Sequence, residues 1–185
     1  MSGLAGVAGE AVSSWLVRGL ILMSVMTVAG CQARPEILGA PVSGYNHTSA
    51  AINWFSVNGA AGPNIGPFQG GLSSQVCCTI IPVVWNPRLR AVVKWEKDPF
   101  PSENIQRDQY GQIVMEAYKR HAAKYSTHEA VVEIPQYTDE VCAVQVHFLP
   151  CDQVRISTTC YTPAHRNYPD HAYFKIKEST RCSIL

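Results

Sequence analysis

The chain is poor in charge. Only 16% of its 185 residues are Asp, Glu, Lys or Arg, and 15 basic residues against 14 acidic ones leave a net charge of +1. No run or stripe of Lys and Arg stands out, which argues against electrostatic capture of nucleic acid. Also missing are a fixed-period repeat, a GxSxG nucleophile elbow, an HExxH pair, a GxxxxGK[ST] phosphate loop and paired CxxC or HxxxH spacings. Each of those patterns places a nucleophile, a metal or a phosphate cradle at a defined backbone position. Without them the sequence assigns no catalytic residue, no metal site, no cofactor and no small-molecule substrate. The six histidines (47, 121, 128, 147, 165 and 171) are scattered. His147 reads as the polar face of a strand, His121 as part of a helical stripe, and both as packed or solvated side chains. Asp139 and Glu140 read as a solvated pair in a turn.

Apolar residues make up 46% of the chain, enough for a core and too many for a disordered polymer. The length suits one domain. Gly19 to Ala29 is apolar for eleven residues. That is too short to cross a bilayer as a helix and fits the apolar region of a secretory signal. It ends in Val28-Ala29-Gly30-Cys31, the aliphatic-small-Gly-Cys order of a bacterial lipobox. The chemistry accounts for that order: a diacylglycerol is attached to the thiol, and a peptidase then cuts before it, so small residues must flank the cut. Two or three acyl chains make such an anchor stable. The expected organisation is a signal peptide over 1–30, lipidation at Cys31, a tether over 31–43 lifting the domain off the membrane, and a β-rich periplasmic domain over 44–185. Resemblance to enterobacterial lipoproteins, with Gln32 and not Asp after the cysteine, implies sorting to the outer membrane.

Six further cysteines remain: Cys77, Cys78, Cys142, Cys151, Cys160 and Cys182. An even number in an exported chain points to disulfides. One pairing follows from pattern. Cys142, Val144, Val146 and Phe148 alternate on one face, as do Val154, Ile156, Thr158 and Cys160. Folding these strands about Pro150-Cys151-Asp152 sets Phe148 opposite Val154, Val146 opposite Ile156, and Cys142 opposite Cys160. A Cys142–Cys160 cross-strand disulfide is therefore expected. Cys77 and Cys78 are adjacent, and neighbouring strand residues point to opposite faces. They are expected to serve different environments rather than one bond, with a vicinal disulfide, which needs a strained peptide, as the alternative.

Other strands are expected at Ala51–Asn58, Ser73–Trp85, Leu89–Glu96 and Ala130–Ile134, with a short one at Tyr173–Lys177. A helical insertion near 103–127 would place Val114, Ala117, Tyr118, His121 and Tyr125 on one stripe. The whole reads as a mostly β fold, an antiparallel sandwich with one helical insertion. The glycine-rich loop Asn58–Gly71 reads as a supplier of turns. Trp54 and Phe55 are neighbours and cannot both face one core. Either one of them packs against the helix or the tether, or Trp54 is an exposed aromatic anchor for a protein partner. Asn64 and Phe68 in the adjoining loop join Trp54 as the candidate partner-binding set.

The ordered series Gly44-Tyr45-Asn46-His47-Thr48, Phe55-Ser56-Val57-Asn58-Gly59, Val76-Cys77-Cys78, Pro82 with Trp85 and Pro87, Val93-Lys94-Trp95 and Val146-His147-Phe148-Leu149-Pro150 resembles a family of small, largely uncharacterised Gram-negative lipoproteins. The resemblance covers most of residues 43–156. The chain departs from the family pattern in its helical insertion, in Pro-Cys-Asp where the hairpin turn would read Pro-Asn-Gly, and in Cys142, Cys151, Cys160 and Cys182. The resemblance implies an immunity lipoprotein of the kind encoded beside type VI secretion phospholipase effectors. Its partners would be a secreted phospholipase and, through the lipid, the outer membrane. A structural lipoprotein anchoring an envelope or secretion complex is the alternative.

Overall fold

The computed structural model describes residues 36–71, 73–138, 141–178 and 182. The chain divides into two units, 1–35 and 36–185. The expected signal peptide, the lipidation at Cys31 and the Asp139–Glu140 pair lie outside the described residues.

Unit 36–185 is a mostly β sandwich, as the alternation in the sequence implied. Its strands are β1 (Ile37–Asn46), β2 (Ala51–Val57), β3 (Ala60–Gly62), β4 (Val76–Pro82), β5 (Arg90–Asp98), β6 (Ser126–Glu133), β7 (Val144–Leu149) and β8 (Gln153–Ser157), with one helix, α1 (Met115–Ala122), between β5 and β6. One sheet has the order β4-β1-β7-β8 and the other β3-β2-β5-β6. All pairings are antiparallel except β1 with β7, which run parallel. Parallel neighbours need a long crossover, and here the entire second sheet supplies it.

The two sheets face each other across one apolar cluster. Val42, Val144, Val146, Phe148, Val154 and Ile156 enter from the first sheet, and Ile52, Phe55, Val57, Ala91, Val93, Trp95 and Val132 from the second. Phe55 meets Phe148 edge to face at 5.2 Å between ring centres, the arrangement aromatic quadrupoles favour. A register shift between Ile52 and Trp54 lets Ile52 and Phe55, three residues apart, both point inward. Trp54 is thereby turned outward and is 41% exposed. Gly62 pairs with Phe55 across β2 and β3. A side chain there would strike the Phe55 ring directly.

The β7–β8 hairpin has the register its alternation implied, Phe148 opposite Val154 and Val146 opposite Ile156. Cys142 and Cys160 are joined just beyond it. The turn at Pro150–Asp152 holds Cys151 and Asp152 at φ of 62° and 56°. That left-handed conformation suits Asn and Gly better than Cys and Asp, and Cys151 is bonded to Cys182.

Three expectations are corrected. The tether expected over 31–43 is strand from Ile37 onward. Its inward residues Leu38, Ala40 and Val42 alternate with Ile37, Gly39 and Pro41, a mixture that hides the period. A register shift between Ala40 and Val42 accommodates Pro41, which has no N–H to give the ladder. Cys77 and Cys78 form one disulfide and not two separate environments, and the peptide between them is cis. The segment expected as a strand at 173–177 is a short 3-10 turn, His171–Lys175. Of the stripe on α1 and its flanks, Tyr118 is exposed, Val114, Ala117 and Tyr125 are half-buried, and His121 is buried.

That histidine docks the insertion by polar contacts. His121 Nε2 lies 3.1 Å from Asp98 Oδ2 and Nδ1 lies 2.8 Å from Glu103 Oε2. Lys124 Nζ donates to both Glu103 oxygens at 2.7 Å. Hydrogen bonding to Glu103 foremost, and then to Asp98, raises the pKa of His121 against the opposing effect of burial.

Candidate functional site

β7 is buried along its whole length, although its residues alternate in polarity. Val144, Val146 and Phe148 face the apolar core. Gln145 and His147 face the other way, beside Ser43 and Tyr45 on β1 and Arg155 and Ser157 on β8. A second layer therefore covers this outer face. It is the C-terminal strap, residues 161–178. Disulfide Cys142–Cys160 clamps its start and Cys151–Cys182 its end. Ser49 N donates to Glu178 Oε2 at 3.0 Å and ties it across β1.

Beneath the strap is a chain of polar rings. His47 Nε2 is 2.9 Å from His147 Nδ1, and His147 Nε2 is 3.1 Å from the Tyr168 hydroxyl. Tyr168 in turn donates to Gln145 Oε1 at 3.4 Å, while Gln145 Nε2 donates to Thr159 O at 2.6 Å. The buried Gln145 oxygen needs a donor, and that need fixes the direction of the chain. Tyr168 gives its proton to Gln145, His147 Nε2–H donates to the Tyr168 oxygen, and His47 Nε2–H donates to His147 Nδ1. Tyr45 stacks on His147 at 5.1 Å, and Phe174 meets His47 edge-on at 4.7 Å.

Every group in the cluster is held neutral. Burial lowers His47 to about 4, and burial together with the nearby His47 lowers His147 to about 3. Burial likewise raises Tyr45, Tyr168 and Tyr173. Taking a charge into such surroundings without a counter-charge is costly.

The neighbouring sequence builds the rim. Asn46 donates to Ala50 O at 2.6 Å and to Gly66 O at 3.0 Å, and its oxygen accepts from Thr48 N at 3.1 Å and Thr48 Oγ at 2.8 Å. The Asn-His-Thr triplet is thus a fully hydrogen-bonded buried turn that aims His47 at His147. The glycine-rich loop lies along β1 through Asn46 N to Gln69 O at 2.7 Å and Gly71 N to Gly44 O at 3.0 Å. Gly70, at φ 131°, passes so close to the Gly44 carbonyl that no side chain fits. This is the supply of turns that the loop composition implied.

A cleft of about 250 Å³ opens above His47, lined by Tyr45, His47, Phe68, Gln69, Phe174 and Ile176 among others. Phe68 stands at its lip, 65% exposed. Asn64 lines an adjoining cleft that shares Gln69 and Gly70. Trp54 lies apart from both, on the outward face of β2. The structure thus brings Asn64 and Phe68 to one rim and leaves Trp54 elsewhere. The His47–His147–Tyr168 chain was not legible beforehand, because its members sit 100 and 21 residues apart. The one available signal was an uncharged polar row, Gln145 and His147, on a strand with no acidic neighbours.

No curated protein and no solved structure matches this chain. Residues 45–156 match the family described as protein of unknown function (DUF3304). The matched span runs from Tyr45 to Ile156. It takes in both histidines, the rim loop and the hairpin, and leaves the strap outside. With more than half of its length matched, the chain belongs to the DUF3304 family.

Proposed function

We propose that the protein is a lipid-anchored immunity lipoprotein on the periplasmic face of the outer membrane, binding and inhibiting a type VI secretion phospholipase effector. The observation that carries this reading is the use of cysteine. The three disulfides consume all six cysteines downstream of Cys31, leaving the lipobox cysteine for its lipid. Such pairing belongs to an oxidising compartment, which is where an inhibitor of imported lipases has to stand.

An inhibitor needs a rigid frame and exposed loops. The clamped sandwich supplies the first, and Phe68, Asn64 and the insertion with exposed Tyr110, Ile113 and Met115 supply the second. Burial of His147 beneath Tyr168 supports binding over catalysis, since a substrate would have to displace the strap to reach it. The family resemblance supplies the phospholipase.

The test is co-expression of the full chain with the effector encoded beside it, directed to the periplasm. Cells are expected to survive and a complex to co-purify, and Cys31→Ser should weaken protection. Lysis despite the full chain, with no complex recovered, refutes the reading.

A further inference from the structure

Five residues, Gln32 to Glu36, separate Cys31 from the first residue of β1. Six residue steps at full extension span about 20 Å at most. A lipid on Cys31 would therefore hold the start of β1 at the bilayer surface, on a leash much shorter than a tether reaching to residue 43.

The part of the fold at the end of that leash is apolar and open. Ile37 pairs with Pro82 and Gly39 with Ile80. Opposed residues, and residues two apart on a strand, share a face, so Ile37, Ile80 and Pro82 stand together on the outward face of the β1–β4 ribbon. Leu38, Ala40 and Ile81 take the inward face. Ile37 to Ala40 pair only with β4, whereas Val42 to Asn46 pair with β7. This end of the ribbon thus projects past the middle of its sheet. The turn after β4 is bound back to its root by Val83 N donating to Glu36 O at 2.9 Å, and it carries Val84. Ile37 is 62% exposed, Ile80 57% and Val84 78%, and exposed Arg88 follows in the same turn.

We propose that this aliphatic patch, Ile37, Ile80 and Val84 with Arg88 at its edge, rests in the lipid headgroup surface. The domain is then docked on the bilayer by its β1–β4 ribbon. The inference rests on the lipidation of Cys31 in the proposed function. A few aliphatic side chains bind a membrane weakly when free, but a short leash keeps them at high effective concentration beside it. An orientation follows. Trp85 Nε1 donates to Ile134 O at 2.9 Å and the Tyr137 hydroxyl to Pro82 O at 2.6 Å, so the ends of β4 and β6 lie together. The insertion joins the opposite ends of β5 and β6, where Lys97 pairs with Ser126. It therefore faces away from the bilayer, open to a partner arriving through the periplasm.

The experiment reconstitutes the full chain, expressed with its leader and purified from membranes, in phosphatidylethanolamine–phosphatidylglycerol vesicles containing a photoactivatable phospholipid. Adducts are mapped by mass spectrometry, and the same digest reads the mass of the peptide carrying Cys31. Adducts are expected on the segments holding Ile37, Ile80 and Val84, with background levels over Tyr110 to Tyr118. Ile80→Ser with Val84→Ser should cut labelling of its segment about tenfold, with the fold checked by circular dichroism. Even labelling over the surface, or a maximum on the insertion, overturns the docking while lipidated Cys31 still supports the anchor. An unlipidated Cys31 overturns both.

Discussion

The fold buries histidine in two places and treats it in opposite ways. His147, with His47, lies among aromatic rings and amides, with no carboxylate to share a proton, and stays neutral. His121 lies between two carboxylates and holds its proton more tightly than a free histidine. Both pin a late or inserted segment onto the sandwich, the strap in one case and the insertion in the other. The same side chain is a neutral link in one and a more readily protonated rivet in the other, because the partners differ. The consequence is opposite responses to pH.

The largest expected effect comes from His147→Ala. It empties a fully buried site and leaves the Tyr168 hydroxyl and His47 without their partner. A loss of about 4 kcal/mol is expected in urea denaturation; a loss under 1 kcal/mol would show that the ring chain contributes little.

Acid comes next. Unfolded histidine takes its proton near pH 6.5, whereas His47 and His147 do so only at about 4 and about 3. Between those values the unfolded chain binds more protons, so stability is full above pH 6.5 and falls as the pH drops. The loss by pH 4 should be on the order of 3 kcal/mol for each of the two histidines. His47→Gln keeps an N–H donor and cannot titrate, so it should remove roughly half of this limb in thermal melts across pH, the rest staying with the buried His147.

Removing the clamp at the start of the strap, with Cys142→Ser and Cys160→Ser together, should cost about 3 kcal/mol for a loop of that length. Hydrogen exchange should then rise over residues 161–178 before it rises in β2 or β5. Simultaneous loss of protection everywhere would mean that the strap and the sandwich unfold as one.

The smallest effect is expected at His121. Its folded pKa is raised, so its contribution is complete below pH 6.5 and is lost as the pH rises through the raised value. His121→Gln should cost about 1 kcal/mol at pH 6 and should remove this alkaline slope while leaving the acid limb intact. An unchanged alkaline slope would break the contrast between the two histidines.

What was legible beforehand depended on how local the signal was. Hairpin β7–β8 alternates cleanly over adjacent strands, so its register and the partner of Cys142 could be read together. Phe55 could be assigned to the core or to the surface but not to one of them, because the bulge beside Trp54 depends on the β2–β5 pairing. In β1, Gly39 and Pro41 blurred the period and made core strand look like tether. His147 read only as a packed or solvated residue on the polar face of its strand, since nothing near it announces a cover arriving some twenty positions later.

The sequence by itself determined a mostly β chain and one disulfide set by strand register. Each is a property of contiguous or directly paired residues, where periods of two and fixed spacings carry the information. Tertiary structure alone decided which polar face was buried, where β1 began, and that Cys151 would meet Cys182. It also set one histidine between carboxylates and another among rings. Those outcomes depend on contacts between segments 20 to 100 residues apart, and a side chain's charge and burial follow from its partners.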